Sequence, residues 1–328
     1  MMTIDHHLES PRPRRGLICV YYAIVAQMKE KPRVLVIVGP TASGKTSLSI
    51  ALAKKFEGEI ISADSRQVYR RLDIGTGKVT EEEMDAVPHH LLDVVDPQHV
   101  YTVHDYIRDG RKAIADIVSR GKLPIIVGGT FFYVDALLGR IAVPEVPPNP
   151  ELRASLEELN TQTLFKKLED TDPRRAADID AHNRVRLIRA LEIVDTVGSV
   201  PQITTEDAYD VCTIGINIDK EGLRERFRAR IGLWVERGFE REVRQLLQSG
   251  LTRERLHTFG FEYQLMMEKI DTNMPDEAFI QKFIEKNWQY AKRQLTWLKR
   301  GTTIQWFDPN TEMKQITLTT ESFLAREK

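Results

Sequence analysis

A parallel α/β fold, its sheet covered on both faces and interrupted by a helical segment, is what the sequence predicts. Three observations carry this. Short apolar runs rich in β-branched residues recur at 33–38 (RVLVIV), 59–62 (EIIS), 123–127 (LPIIV) and 211–218 (VCTIGINI), with helical patterns between them. Strands that alternate with helices need crossover connections, and these build parallel sheets buried on both sides. The first run ends in a glycine loop that opens a helix over 45–56, with Leu48, Leu52 and Phe56 spaced along one face. At 141–150 the texture changes to IAVPEVPPNP, whose four prolines end helical structure and mark a linker.

Along the chain, a helix near 104–119 joins the runs at 59–62 and 123–127. Residues 151–200 read as mostly helical, and long helices over 220–248 and 276–300 follow the last run. The expected organisation is a phosphate-loop α/β core from 32–141 and 207–310, a helical insertion over 142–206 and a C-terminal tail over 311–328. Residues 1–31 are set aside as an extension. The apolar run 16–26 behind Arg12, Arg14 and Arg15 imitates a signal peptide but is too short to span a bilayer. Met28, just before the first strand, is an alternative start.

Composition excludes several classes. The 328 residues are 41% hydrophobic and 29% charged, as in ordinary globular proteins, which sets disorder and membrane spans aside. A formal net charge of -1 excludes coating nucleic acid by bulk charge but leaves room for a local basic groove. Two cysteines, Cys19 and Cys212, suffice for neither a zinc site nor a disulfide framework and fit a reducing cytoplasm.

The strongest single motif is 39–46, GPTASGKT, a phosphate-binding loop in strand–loop–helix context. Gly39, Pro40, Thr41, Ala42, Ser43, Gly44, Lys45 and Thr46 form it. Its backbone N–H groups and the helix N-terminus surround a phosphate, Lys45 adds a positive charge, and the Thr46 hydroxyl can hold Mg²⁺. The loop alone does not say which phosphate compound binds. A kinase would hold a nucleoside triphosphate there, and a prenyltransferase a diphosphate leaving group. Asp64 stands at the end of the next apolar run, where open α/β sheets put their chemistry, and could bind a metal, accept a proton or merely cap a turn.

Four further blocks follow the loop in order: 62–69 (SADSRQVY), 72–78 (LDIGTGK), 127–133 (VGGTFFY) and 290–297 (YAKRQLTW). With the loop they closely resemble the tRNA dimethylallyltransferase (isopentenyltransferase) family, from about Val34 to about Trp306. The resemblance implies a prenyl group moved from dimethylallyl diphosphate to the N6 amine of adenine 37, next to the anticodon of tRNAs that read codons beginning with U. It implies Asp64 as the base, Thr41 and Lys45 as catalytic, and Mg²⁺ on the diphosphate. Asp64, Ser65, Arg66, Gln67 and Thr130 would meet the tRNA around the target adenine, and a glutamine can pair bidentately with an adenine edge. Gly128 and Gly129 would let the substrate approach the backbone, and Tyr133 would line the prenyl pocket or simply pack.

In the insertion, 183–192 (NRVRLIRALE) matches an Arg-rich helix that grips the anticodon stem-loop, which implicates Val185, Arg186, Leu187, Ile188 and Arg189. Arg153 matches a further tRNA contact. Arg226 and Arg230 are candidates for the diphosphate or the tRNA, although interleaved Glu225, Glu236 and Glu240 would also suit a salt-bridged surface helix. Lys292 and Arg293 stand equally open.

The chain departs from the family at 259–263, FGFEY, where Glu262 replaces a basic residue that would contact tRNA. His89 and His90 lack metal-ligand spacing and read as structural. A prenyltransferase of free adenine nucleotides would not need the Arg-rich insertion, a small-molecule kinase would not need the DS-x-Q block, and an RNA-binding module with a vestigial loop would not keep Lys45, Thr46 and Asp64. A monomer is the default expectation.

Overall fold

The computed structural model describes residues 31–141, 143–201, 208–299 and 303–326. The expected extension lies almost wholly outside the described residues, as do short stretches of the expected insertion.

Six parallel strands form one sheet: β1 (Arg33–Val38), β2 (Gly58–Ser62), β3 (His89–His90), β4 (Leu123–Gly128), β5 (Asp210–Ile216) and β6 (Ile304–Phe307). Their spatial order is β3-β2-β4-β1-β5-β6. Side chains alternate across a strand, and β1 shows the result. Val34, Val36 and Val38 enter one apolar cluster with Tyr106, Ile114, Ile117 and Phe131, while Leu35 and Ile37 enter another with Leu48, Leu52 and Ile214. Both clusters are buried, so the central strands read as continuous apolar runs.

Helices α1 (Lys45–Lys55), α2 (Glu81–Met84), α3 (Val103–Ser119) and α4 (Phe131–Leu138) belong to the first half of the sheet. A Thr102 capping box starts α3: its hydroxyl accepts from the Asp105 N–H and the Asp105 carboxylate accepts from the Thr102 N–H. α5 (Pro150–Glu157), α6 (Thr161–Thr171), α7 (Pro173–Asp178) and α8 (Arg184–Val197) pack around a cluster of their own, including Leu156, Leu164, Leu168, Leu187 and Leu191.

Two expectations need correction. The helix foreseen over 220–248 is two helices, α9 (Lys220–Arg237) and α10 (Phe239–Gln248), separated by Gly238 at φ 92°. A left-handed residue ends a helix, and glycine takes that conformation at least cost. Beyond them lie α11 (Arg253–His257), α12 (Phe261–Thr272) and α13 (Asp276–Leu298), which with α9 and α10 enclose a second aromatic core around Phe239, Phe259, Tyr263 and Phe283. The supposed C-terminal tail contains α14 (Met313–Leu324), whose Ile316 and Phe323 are buried against the sheet, following β6 at the sheet edge. Burial of two large apolar side chains makes this segment part of the core.

His90 is a structural group: its Nε2 lies 2.8 Å from the buried Glu59 carboxylate, which Arg120 and Lys122 also contact. The Tyr133 ring stacks on Tyr106 at 4.3 Å inside the core, so it packs and does not line the pocket.

Candidate active site at the carboxyl ends of the strands

Strand register brings the loops together. Val38 pairs with Gly128 and with Gly215, and Ser62 pairs with Val127, so β1, β2, β4 and β5 finish side by side. The chain leaves β1 into the phosphate loop, β2 into Ala63–Asp64 and β4 into Gly129–Thr130. A single pocket is lined by Thr41, Lys45, Asp64, Ser65, Arg66 and Thr130 from these loops.

The phosphate loop is tightly braced. Gly44 sits at φ 96°, and a Cβ there would lie 3.1 Å from the Arg226 guanidinium. A Cβ on Gly39 would meet the Ser43 hydroxyl at 2.8 Å. Ala42 is buried in left-handed conformation, and the buried Ser43 Oγ has no hydrogen-bond partner among the described residues. Lys45 Nζ donates to the Gly39 and Pro40 carbonyls at 3.0 and 2.7 Å. Burial, reinforced by the nearby Arg230 charge and opposed by Asp64, pulls the Lys45 ammonium down to about 7.

Arg226 and Arg230, both on α9, have different tasks. Arg226 donates to the Ser43 carbonyl at 2.8 Å, gripping the loop from outside the pocket. Arg230 lines the pocket and donates to the Thr41 hydroxyl at 3.0 Å. Neither is salt-bridged to an interleaved glutamate among the described residues. Thr46 is exposed at the start of α1.

Asp64 does two things. Its Oδ1 accepts the Arg66 and Gln67 N–H groups at 2.8 and 3.2 Å, so it caps the turn. Its Oδ2 has no hydrogen-bond donor among the described residues, and the residue lines the pocket opposite Lys45 and Thr41. Thr130 Oγ1 accepts from the Ser65 N–H at 3.3 Å and ties the second loop to the third.

Several expected contacts are already spoken for. The Gln67 amide donates to the Thr76 and Gly77 carbonyls at 3.3 and 3.2 Å and accepts from Ser62 Oγ at 3.2 Å. It tethers the 72–78 loop and has no amide edge left for adenine. A Cβ on Gly128 would lie 2.1 Å from the Ala63 carbonyl oxygen, and one on Gly129 2.5 Å from the Gln294 amide. Those glycines therefore admit protein neighbours, not a threaded substrate. On α8, Leu187 and Ile188 are 0% and 8% exposed within the helical cluster, so their side chains cannot reach a ligand. Val185 and Arg186 point to solvent. Arg153 and Arg189 both bond to the fully buried Glu192. Although burial pushes Glu192 upward, Arg153, the Asn149 N–H and Arg189 hold it down to about 2.

Other residues complete the pocket unannounced. Asn287, Tyr290 and Gln294 project from one face of α13 at spacings of three and four. Gln294 bridges two loops, accepting the Thr41 N–H at 2.9 Å and donating to the Gly129 carbonyl at 3.0 Å. The helical spacing within the last block, continued one turn back to Asn287, was the signal that could have found them. Glu262 also lines the pocket, 3.0 Å from Arg66. Gly75 and Thr76 arrive on the 72–78 loop, where the Asp73, Ile74 and Gly75 N–H groups donate to the buried Glu242 carboxylate at 2.9, 2.6 and 3.1 Å. Lys292 and Arg293 lie on the exposed side of α13, away from the pocket.

A phosphate cradle with its lysine, facing a strand-end carboxylate across one cavity, defines an α/β enzyme of the phosphate-loop class. The family model described as IPP transferase matches residues 67–301, and that described as isopentenyl transferase matches residues 32–96. The tRNA dimethylallyltransferase of Oceanobacillus iheyensis is 38% identical over 287 residues, 84% of this chain and 91% of its own length. Among solved structures, the tRNA isopentenylpyrophosphate transferase of Bacillus halodurans superposes with a TM-score of 0.67 at 37% identity, covering 90% of this chain and 96% of that one. A eukaryotic dimethylallyltransferase described as acting on tRNA gives a TM-score of 0.74 at 29% identity, covering 90% and 80%. The chain belongs to the IPP transferase family.

Proposed function

We propose that this protein transfers a dimethylallyl group from dimethylallyl diphosphate to the N6 amine of an adenosine in tRNA, at position 37 next to the anticodon of tRNAs that read codons beginning with U. The observation that carries it is the shared cavity. Thr41 and Lys45, which suit a departing diphosphate, and Asp64, which suits an attacking amine, line one pocket.

In the reaction the allylic C1–O bond breaks and a C1–N6 bond forms. The electron pair of the broken bond leaves on the diphosphate, and the amine proton passes to the open Asp64 oxygen. The phosphate-loop N–H groups, Lys45 and Arg230 stabilise the departing charge, which is where preorganised donors act most strongly. Adenine must leave its stack to reach this cavity.

The donor set fits Mg²⁺ held mainly by substrate. Among the described residues no group of three or more His, Cys, Asp or Glu side chains converges on a cation site, but the Thr46 hydroxyl is exposed at the loop end. Mg²⁺ needs one or two protein oxygens beside phosphate oxygens and water, and would neutralise the diphosphate there.

The division into a core over 32–141 and 207–310, joined by α14, and an insertion over 142–206 remains our reading, with the insertion closing on the anticodon stem-loop. Its separate apolar cluster supports it. Arg186 and Val185 are its outward-facing contacts, and Ser65 and Thr130 meet the RNA in the pocket, where the Arg66 guanidinium is held by Glu262. A monomer in the cytoplasm is the accompanying expectation. No helix among the described residues is long and apolar enough to cross a membrane.

Purified protein with radiolabelled dimethylallyl diphosphate, Mg²⁺ and either unmodified tRNA or AMP tests the reading, with Asp64→Asn alongside. Label in tRNA alone, lost in the variant, is expected. Label in AMP alone would establish a nucleotide prenyltransferase instead, and transfer to neither would reopen kinase chemistry.

A further inference from the structure

The pocket contains two carboxylates, Asp64 and Glu262, and three cations, Lys45, Arg66 and Arg230. Glu262 is buried, and its Oε2 accepts from Arg66 Nη1 at 3.0 Å. The Arg66 side chain is itself largely covered. Around Glu262 stand Arg66 and Arg230, which attract it, and Asp64, which repels it; Tyr263 and Tyr290 pack nearby. The backbone is shaped for the pair: Gly260 sits at φ 117°, and a Cβ there would lie 2.3 Å from Arg66 Cζ. Any other residue would displace the guanidinium.

Arg66 is two residues from Asp64, and its own N–H donates to Asp64 Oδ1. Asp64 is also the only other carboxylate lining the pocket among the described residues. A buried guanidinium without a partner seeks the nearest carboxylate, because leaving the charge unpaired is expensive. Released from Glu262, Arg66 would turn to Asp64 and occupy the oxygen that the amine needs.

We propose that Glu262 is a positioning residue for the transfer reaction: its carboxylate holds the Arg66 guanidinium away from Asp64 and keeps the open Asp64 oxygen available to the acceptor amine. This rests on the reading of Asp64 as the proton acceptor.

The test is second-site rescue. Glu262→Gln, Arg66→Met and the double variant are assayed for kcat with tRNA and for KM of dimethylallyl diphosphate, each corrected by thermal unfolding for folded fraction. Glu262→Gln is expected to lower kcat about tenfold with that KM within about twofold, and Arg66→Met in the same chain to restore most of the loss. A purely structural glutamate would give no rescue on removing its partner. An unchanged kcat in Glu262→Gln, or a double variant no better than Glu262→Gln, would overturn the proposal. Should Glu262→Gln fold poorly, Glu262→Asp, which withdraws the carboxylate by one methylene, is expected to show the same loss and the same rescue by Arg66→Met. Asp64→Asn separates the two ideas. Retained turnover there sinks the base assignment, whereas a dead Asp64→Asn beside an unaffected Glu262→Gln sinks the positioning role alone.

Discussion

Arg230 donates to the Thr41 hydroxyl at 3.0 Å across 189 residues of sequence, linking α9 to the tip of the phosphate loop. The arginine therefore orients a hydroxyl that lines the pocket, besides adding charge. Arg230→Met is expected to lower kcat/KM for dimethylallyl diphosphate by about 10²-fold or more, as loss of a preorganised donor does. The KM for tRNA should stay within about threefold. Steady-state kinetics varying each substrate in turn check this.

Lys45 has its ammonium pulled down to about 7 by burial and the Arg230 charge. Ligand-free protein at pH 8 has therefore largely shed this proton, and a bound diphosphate draws it back. Titration with inorganic pyrophosphate at pH 8, in buffers of different ionisation enthalpy, should show uptake approaching one proton beyond the proton exchange of pyrophosphate itself. Lys45→Met should abolish it. In the ligand-free protein the same depression makes stability rise with pH from about 7 toward the unfolded value, because only the unfolded chain still binds the proton there.

Glu192 is expected to matter for stability through Arg153 and Arg189. Its folded value of about 2 lies below the ordinary 4.5, so its contribution is present above 4.5 and disappears as pH falls toward 2. Glu192→Gln should cost about 1–3 kcal/mol at pH 7, less than a fully buried pair because both arginines are partly exposed. Urea titrations at pH 7 and pH 3 should show the difference shrinking at the lower pH.

Arg186 and Arg189 should separate cleanly. Arg186→Ala is expected to weaken tRNA binding and reduce the salt slope by about 1, with unfolding unchanged. Arg189→Ala should lower thermal stability, because it strips a partner from Glu192. Filter binding at several salt concentrations and thermal melts decide this together.

Glu242 accepts three backbone N–H groups and the Tyr263 hydroxyl inside the second core. Glu242→Ala should destabilise the protein by about 1–3 kcal/mol or more through the unsatisfied donors. Amide exchange at 73–75 should accelerate well beyond that of β1.

The sheet was legible because its strands are buried on both faces, and a short β-branched run ending in a turn suits little besides a buried strand. The phosphate loop and Asp64 were legible because each sits at a strand end. β3 and β6 were not, since two and four residues carry no period. Gln67 and Arg189 invited readings as RNA contacts that their protein partners answer better. Glu262 stood out only as a departure, and nothing local in FGFEY reveals that it meets Arg66, 196 residues away in sequence. Gln294 lay within a recognised block whose basic pair drew attention from the face that turns inward.

Gly238 ends α9 and begins α10, so one short junction fixes the angular phase of two neighbouring helices. Upstream, Arg226 and Arg230 reach the phosphate loop; four residues downstream, Glu242 holds the 72–78 loop. Adding or deleting one residue here would rotate everything beyond it by about 100° and swing Glu242 out of its nest while leaving both arginines in place. A junction hidden inside a single expected helix is thus intolerant of a change in length, although it does not line the active-site pocket.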